Sequence, residues 1–160
     1  MYTAEKLPLD QKDCFGKRGL MSIPYRYFAG LFLSEALIAL RDEKKILGAR
    51  CDTCHKVFVP PRSRCERDFT KITELVEVGP EGVVEEFTVV NYEEEYFKKF
   101  CPMLEIPYTM ALIKLDGADT KLLHRIPGDT VKRGDRVKPK WAPDDKRDAM
   151  ITDIEYFEKV

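Results

Sequence analysis

Three cysteines and one aspartate have the spacing of a small metal site. Cys51 and Cys54 form one C-x-x-C corner, and Cys65 and Asp68 form a second corner after ten intervening residues. Two such corners can each offer two ligands to one tetrahedral ion, and zinc accepts both cysteine thiolates and carboxylate oxygens. Asp68 occupies the position where a fourth cysteine is expected. The pattern therefore predicts a structural zinc site with the ligands Cys51, Cys54, Cys65 and Asp68.

Two other interpretations of these corners stay open at this point. The corners could be held by packing and turns without any metal, or they could carry a redox-active iron. Iron is the less favoured metal because a carboxylate in place of a thiolate suits iron electron transfer poorly. His55 follows Cys54 directly and is an awkwardly placed alternative to Asp68 as the last ligand. Cys14 and Cys101 are expected to be inert thiols.

Length, charge and cysteine usage limit the class of protein. The chain has 160 residues and a net charge of −1, which gives a general nucleic-acid role no electrostatic support. The cysteine count is five, an odd number, and the N-terminus has no apolar core of signal-peptide length. We therefore expect a reducing, cytoplasmic location. The most apolar segment, Tyr25–Leu40, is too short to cross a membrane, which takes about 20 residues.

The elements that must position the metal site begin with a predicted helix. Residues 1–22 are predicted to form an arm with at most a short helix. Pro24 favours a helix start at Tyr25, and the pattern continues to about Lys44. Apolar residues cover most of the circumference of this helix, so it must be covered on more than one side, by the chain itself or by another subunit. We predict a docking surface there, formed by Phe28, Leu31 and Phe32.

The rest of the chain has the pattern of short strands. Turn signals such as Asp116-Gly117 and Pro127-Gly128 separate the runs, and no long helix intervenes. This pattern predicts a small closed or partly open β-barrel of five or six strands after the cysteine corners. The longest connection, residues 92–107, is a second candidate for a docking surface. The predicted strands are Ile46–Arg50, Val57–Val59, Lys71–Val78, Val83–Asn91, Tyr108–Leu115, Lys121–Ile126, Arg136–Trp141 and Ile151–Phe157.

The order of helix, cysteine corners and barrel resembles a known family. That family couples a rubredoxin-like zinc ribbon to an OB-fold and is associated with acyl-CoA metabolism. The resemblance covers roughly residues 25–158 and predicts a mainly β fold with an N-terminal helix. We expect an arm and helix at 1–45, a zinc ribbon at 46–70 and an OB-fold barrel at 71–160. The matching segments are Cys51–Cys54, Phe58–Arg62 with Cys65, Gly82–Asn91, Pro107–Asp116 and Val131–Val137.

The resemblance implies an accessory role with an acyl-CoA ligand. Family members accompany thiolases, and archaeal relatives link an acetoacetyl-CoA thiolase to hydroxymethylglutaryl-CoA synthase. We therefore expect a thiolase-type enzyme or hydroxymethylglutaryl-CoA synthase as partner, a coenzyme A thioester as ligand and no membrane partner. Self-association into a homo-oligomer is a further expectation.

A run of basic residues near the end of the barrel is the candidate coenzyme A site. Arg133, Arg136, Lys138 and Lys140 follow one another closely, and in a strand the last three share one face. Such a run is most often a solvated strand face. The functional alternatives are the phosphates of coenzyme A or a single-stranded nucleic acid, which OB-folds often bind. We favour coenzyme A, mostly on the resemblance.

The sequence offers no catalytic motif. It lacks a P-loop, G-x-G-x-x-G, H-E-x-x-H and G-x-S-x-G. His124 lies in a predicted strand and is expected to make ordinary strand contacts. We therefore expect a non-catalytic subunit. The competing hypotheses are an OB-fold module that binds single-stranded nucleic acid and, as a third class, a small iron electron carrier.

Overall fold

The computed structural model describes residues 4–6, 15–17, 28–92 and 105–160. One α-helix, α1, runs over Gly30–Glu43, and short 3-10 turns cover Asp144–Lys146 and Ile151–Asp153. The strands are β1 Ala4–Lys6, β2 Phe15–Lys17, β3 Ile46–Arg50, β4 Val57–Phe58, β5 Glu74–Val78, β6 Gly82–Val90, β7 Tyr108–Leu115, β8 Leu122–Pro127, β9 Arg136–Trp141 and β10 Ile154–Lys159.

Helix α1 is shorter at its N-terminus than the sequence pattern predicts. The predicted start at Tyr25 lies outside the described residues, but Phe28 and Ala29 are not helical and α1 begins at Gly30. Gly30 has a φ of 76°, and a right-handed helix cannot continue through a left-handed residue. At the other end Lys44 is left-handed and the amide of Lys45 donates to the carbonyl of Ala39, which closes the helix.

Only one face of α1 is covered in the described part of the chain. Ala36, Ala39 and Leu40 are buried and pack towards β3 and the turn at Ile151–Asp153. On the opposite side Leu31 is 80% exposed and Ile38 47%, and Phe28, just before the helix, is 94% exposed. The expectation of cover on more than one side is therefore not met within these residues.

The five-stranded barrel sheet confirms the predicted fold class. Its strands are antiparallel in the order β10-β9-β6-β7-β8, and the two end strands, β8 and β10, pack against each other. Alternate residues point inwards, as Val137 and Pro139 do on β9 while Arg136, Lys138 and Lys140 face solvent. The fully buried side chains of this core are Val84, Ala111, Ile113, Val137, Ile154 and Phe157.

A separate three-stranded sheet supports the cysteine corners, in the order β4-β3-β5. The run predicted from Lys71 becomes strand only at Glu74, and β5 pairs with β3 rather than with a barrel strand. Its register places Val78 opposite Ile46. Both residues belong to the barrel core, so the two sheets share one continuous apolar interior.

Two residues of the turn between β7 and β8 attach this smaller sheet to the barrel. The Asp119 carboxylate accepts from the amide of Val57 at 2.9 Å, and the Asp119 amide donates to the carbonyl of Val57 at 2.9 Å. The Thr120 hydroxyl accepts from the amide of Val59 at 2.6 Å and donates to its carbonyl at 2.9 Å. These four bonds satisfy the outer edge of β4, which would otherwise be unpaired.

Two further differences from the predicted elements are local. The N-terminal arm contains no helix in its described parts, where β1 and β2 form an antiparallel pair. The last predicted strand begins with a 3-10 turn at Ile151–Asp153 and becomes β10 only at Ile154. Among the described residues, no helix has the length and apolar character that a membrane crossing requires.

Candidate metal centre

The first cysteine corner is a tight backbone knuckle. The amide of Cys51 donates to the carbonyl of Lys56 at 2.9 Å, and the amide of His55 donates to the carbonyl of Cys51 at 2.9 Å. The chain can turn this sharply because His55 adopts a left-handed φ of 59°. The knuckle places Cys51 and Cys54 on the same side of the turn.

The second corner repeats the same backbone pattern. The amide of Cys65 donates to the carbonyl of Thr70 at 3.0 Å, and the amide of Phe69 donates to the carbonyl of Cys65 at 3.1 Å. Phe69 has a φ of 58°, matching the left-handed residue of the first knuckle. In this repeat, Asp68 holds the position that Cys54 holds in the first knuckle.

The two knuckles bring three sulfur atoms together at a metal-binding distance. The Sγ atoms of Cys51, Cys54 and Cys65 all lie within 4.8 Å of one another, and those of Cys54 and Cys65 are 3.7 Å apart. Zinc–sulfur bonds of about 2.3 Å in a tetrahedron require sulfur atoms about 3.8 Å apart. Cys51 and Cys65 are buried while Cys54 is half-buried. Three soft donors at this spacing fit zinc.

Backbone amides act on the same thiols. The amide of Cys54 donates to Cys51 and lowers the pKa of that thiol. The amide of Arg67, 3.4 Å from Cys65 Sγ, also favours the thiolate. Burial and the neighbouring Asp68 carboxylate and Cys54 thiol outweigh this amide and raise the pKa of Cys65 to about 11. A bound cation would instead lower the pKa of the Cys65 thiol, because it stabilises the thiolates directly.

Asp68 lies at the edge of this group rather than inside it. Its Oδ1 accepts from the amide of Thr70 at 3.0 Å, and this bond holds the pKa of Asp68 below its usual range. The neighbouring Cys65 thiol contributes to the same lowering of the Asp68 pKa. The Asp68 oxygens are not within 4.8 Å of all three sulfur atoms. Thr70 was not a predicted contributor, although Asp often bonds the amide two residues later, a signal that the sequence offered.

Comparisons with known proteins identify the family. Residues 39–73 match the model of the ChsH2 rubredoxin-like zinc ribbon domain, and residues 75–142 match the model of the ChsH2 C-terminal OB-fold domain. A crystal structure of a protein of unknown function of the DUF35 family, from Sulfolobus solfataricus, is 32% identical. It aligns over 69% of this chain and 76% of that chain with a TM-score of 0.56. The chain belongs to the DUF35 family.

A second solved structure has the same fold as this DUF35 chain, at a lower sequence identity. The Ltp2-ChsH2(DUF35) aldolase is 22% identical over 79% of this chain and 92% of that chain, with a TM-score of 0.55. No curated protein matches the chain. The predicted family, with its zinc ribbon followed by an OB-fold, is thus confirmed.

The basic residues predicted to bind coenzyme A phosphates are mostly occupied by carboxylates. Arg133 contacts Glu86 at 2.6 Å, and Lys138 contacts Glu158 at 3.6 Å. Arg136 contacts two carboxylates, that of Glu81 at 2.7 Å and that of Asp116 at 2.8 Å. Within the described ranges Lys140 forms no ion pair. A phosphate at this strand would have to compete with these carboxylates, and the assignment stays a prediction.

The other predicted residues lie apart from the sulfur group. Phe28, before α1, and Leu31, on α1, are exposed, and Phe32 is half-buried. Cys14, Cys101 and residues 93–104 of the long connection lie outside the described residues. His124 is buried on β8, where its ring meets Phe157 edge-on with centroids 5.3 Å apart, as expected for a strand histidine with ordinary contacts.

An apolar cleft between α1, the small sheet and the barrel was not predicted. Its volume is about 360 Å³, part of it open to solvent. Helix residues at i, i+3, i+4 and i+7 line one wall, a spacing that a closer inspection of the helix pattern could have indicated. The lining residues are all apolar: Leu33, Ala36, Leu37, Leu40, Ile46, Leu47, Val59, Pro60, Pro61, Leu122, Ile151 and Ile154.

Proposed function

We propose that this DUF35 chain is a non-catalytic subunit that docks a thiolase-type enzyme and helps it to hold a coenzyme A thioester. One observation carries the proposal: a zinc ribbon and an OB-fold of the ChsH2 type follow each other in a single chain. The fold is also that of the Ltp2-ChsH2(DUF35) aldolase, whose name pairs a ChsH2 chain with a second component. Bridging of a thiolase to hydroxymethylglutaryl-CoA synthase is the finer form of the same proposal.

The proposed docking surface consists of Leu31 and Ile38, on the outer face of α1, and of Phe28, which precedes the helix. Phe28 and Leu31 are 94% and 80% exposed, and Leu31 and Ile38 lie opposite the helix face that packs on the chain. Contiguous exposed apolar side chains of this size are typical of protein–protein contacts. An aromatic anchor such as Phe28 would enter a pocket of the enzyme and contribute most of the binding free energy.

The coenzyme A part of the proposal concerns the exposed face of β9 and the turn that precedes it. Lys140 supplies a charge without an ion pair among the described residues, and Arg133 is 71% exposed and held by a single contact to Glu86. A phosphate could replace one exposed carboxylate contact at little cost, because such surface pairs contribute about 0–1 kcal/mol. The same ion pairs reduce the field available to a nucleic acid, which makes that alternative the less favoured one.

The test is capture of the enzyme from a native lysate, with and without an acyl-CoA. We expect recovery of a thiolase-type enzyme by the wild-type chain and its loss for the double variant Phe28→Asp and Leu31→Asp. Both side chains are almost fully exposed, so the fold should tolerate the change better than a change at half-buried Phe32. Val160→Asp, at a site that is 70% exposed, is the matched control and should retain the complex.

The outcomes separate the hypotheses. Retention of the enzyme by the folded double variant would remove α1 from the interface. Recovery of nucleic acid with its processing enzymes, and of no enzyme that uses coenzyme A, would refute the accessory role. Salt-sensitive oligonucleotide binding would then direct attention to the basic strand.

A further inference from the structure

The tip of the second knuckle carries an exposed aromatic side chain. Phe69 is 72% exposed, whereas Phe58, the other aromatic residue of the ribbon, is fully buried. Phe69 also has a left-handed φ of 58°, a backbone conformation that bulky side chains rarely adopt. An exposed ring held in a strained backbone position is a candidate for a binding element.

The same part of the chain is basic. Residues 50–71 contain six basic and three acidic residues, whereas the whole chain has a net charge of −1. Two of the three acids already have partners. Glu66 pairs with Arg62 at 2.7 Å, and the Asp68 carboxylate accepts from the amide of Thr70 at 3.0 Å. The second knuckle therefore has an excess of positive charge at its surface.

Three exposed cations, Arg64, Arg67 and Lys71, lie close to Phe69 on this knuckle. None of them forms an ion pair with another described residue. The guanidinium of Arg64 donates to the carbonyl of Phe69 at 3.0 Å, so its charge lies at the base of the ring. Arg64 and Lys71 face each other in an antiparallel bridge, which places their Cβ atoms about 5 Å apart. The tip therefore combines one exposed ring with three cations that have no carboxylate partner in the described part of the chain.

This combination fits a phosphorylated nucleotide. An aromatic face stacks on a base, and arginine and lysine side chains bind phosphates. A single-stranded nucleic acid would require several aromatic side chains in succession, but Phe69 is the one exposed aromatic residue of the ribbon. A stable protein contact uses about 20–30 residues on each side, many more than these four.

We propose that the tip of the second knuckle binds the nucleotide half of a coenzyme A thioester, with the adenine ring on Phe69 and the phosphates at the three cations. The choice of coenzyme A among adenine nucleotides rests on the proposed function. The site is separate from β9, where Arg136 and Lys138 are already paired with carboxylates. A phosphate at the knuckle has no such carboxylate to displace.

The first test is calorimetric titration of the zinc-loaded full chain with adenosine 3′,5′-bisphosphate, which resembles the phosphorylated end of coenzyme A. We expect saturable binding that weakens as salt is added, because the three cations are exposed. Phe69→Gly keeps the left-handed backbone and removes the ring, so it should weaken binding by about tenfold. Phe69→Tyr keeps an aromatic face and should retain the wild-type affinity.

The second test concerns the phosphate contacts. Arg67→Glu and Lys71→Glu should each weaken binding of the bisphosphate by roughly tenfold, the effect of one charge-assisted hydrogen bond, and should reduce its salt dependence. Lys146→Glu, at an exposed position of a 3-10 turn, is the matched control and should leave the affinity unchanged. Trp141 fluorescence and the absorption of bound cobalt(II) show whether each variant retains the barrel and the ribbon.

A third titration identifies the source of the nucleotide. Coenzyme A should bind at least as tightly as the bisphosphate, because it carries one phosphate more on the same nucleoside. ATP and a short oligoadenylate are the competing sources. Tighter binding of either one than of coenzyme A would overturn the assignment to coenzyme A.

Three other results would overturn the site itself. The first is wild-type affinity for the bisphosphate in folded Phe69→Gly and Lys71→Glu. The second is loss of binding in Lys140→Glu alone, which would place the nucleotide on β9. The third is a wild-type chain that does not bind the bisphosphate. Each of these leaves the docking of a thiolase-type enzyme intact if the chain still captures it, and nucleotide binding without enzyme capture would support the site while refuting the docking.

Discussion

The Thr120 hydroxyl supplies two of the four hydrogen bonds that attach the zinc ribbon to the barrel. This hydroxyl accepts from the amide of Val59 and donates to the carbonyl of the same residue. Val59 is 3% exposed and belongs to the shared core, so neither of its backbone groups has easy access to water. Thr120→Val keeps the shape of the side chain and removes both bonds.

The expected loss of stability follows from the two groups left without partners. An unsatisfied buried donor or acceptor costs about 1–3 kcal/mol, and the site is only partly buried, so we expect a total of about 2–3 kcal/mol. For a chain of this length, that loss lowers the melting temperature by roughly 5–10 °C. Thr88→Val, an exposed threonine on β6, is the matched control and should change the stability by less than about 0.5 kcal/mol.

The assay is urea unfolding followed with two probes. Trp141, the single tryptophan, reports on the barrel, and the ligand-field absorption of bound cobalt(II) reports on the ribbon. Both transitions should move together, because the two sheets share one core. A change below about 0.5 kcal/mol in Thr120→Val would refute the claim that this hydroxyl holds the ribbon on the barrel.

Three further predictions concern pH, packing and the metal. Burial lowers the pKa of His124, so as the pH drops below about 6.5 this histidine is protonated in the unfolded chain before it is protonated in the folded chain. The urea concentration at the unfolding midpoint should therefore fall with the pH, and His124→Gln should reduce this pH dependence. Gly82→Ala places a Cβ 2.6 Å from the carbonyl oxygen of Lys114 and should destabilise the chain by about 1–3 kcal/mol, measured in urea, whereas an unchanged midpoint would contradict the close strand approach. Removal of zinc by a chelator should lower the melting temperature by roughly 5–10 °C in calorimetry, and re-addition should restore it.

The sequence predicts the grouping of the three cysteine sulfur atoms well because its geometry is local. Each knuckle is closed by backbone bonds between residues four or five positions apart, so the spacing of Cys51 and Cys54 already fixes their relative placement. Strand positions are predicted well for the same reason, since alternation along β9 places Val137 in the core and Lys138 outside. The orientation of Asp68 is less predictable because it depends on the amide of Thr70.

The errors of prediction arise where distant parts of the chain meet. Arg136 looked like part of a free basic face, but its partners are 20 and 55 residues away in sequence. The helix start at Tyr25 followed from the proline rule, while the left-handed conformation of Gly30 set the actual start. The face of α1 that remains exposed could not be predicted either, because its cover depends on tertiary packing.

The proposed accessory role is tested most directly by titrating the purified chain against the thiolase-type enzyme that it captures, with and without acyl-CoA. We predict a saturable complex, no turnover of the thioester by the chain alone, and at least about tenfold weaker binding for the Phe28→Asp and Leu31→Asp variant than for Val160→Asp. Equal binding by both variants would contradict docking through α1. Failure of the wild-type chain to bind any enzyme that uses coenzyme A would contradict the accessory role itself.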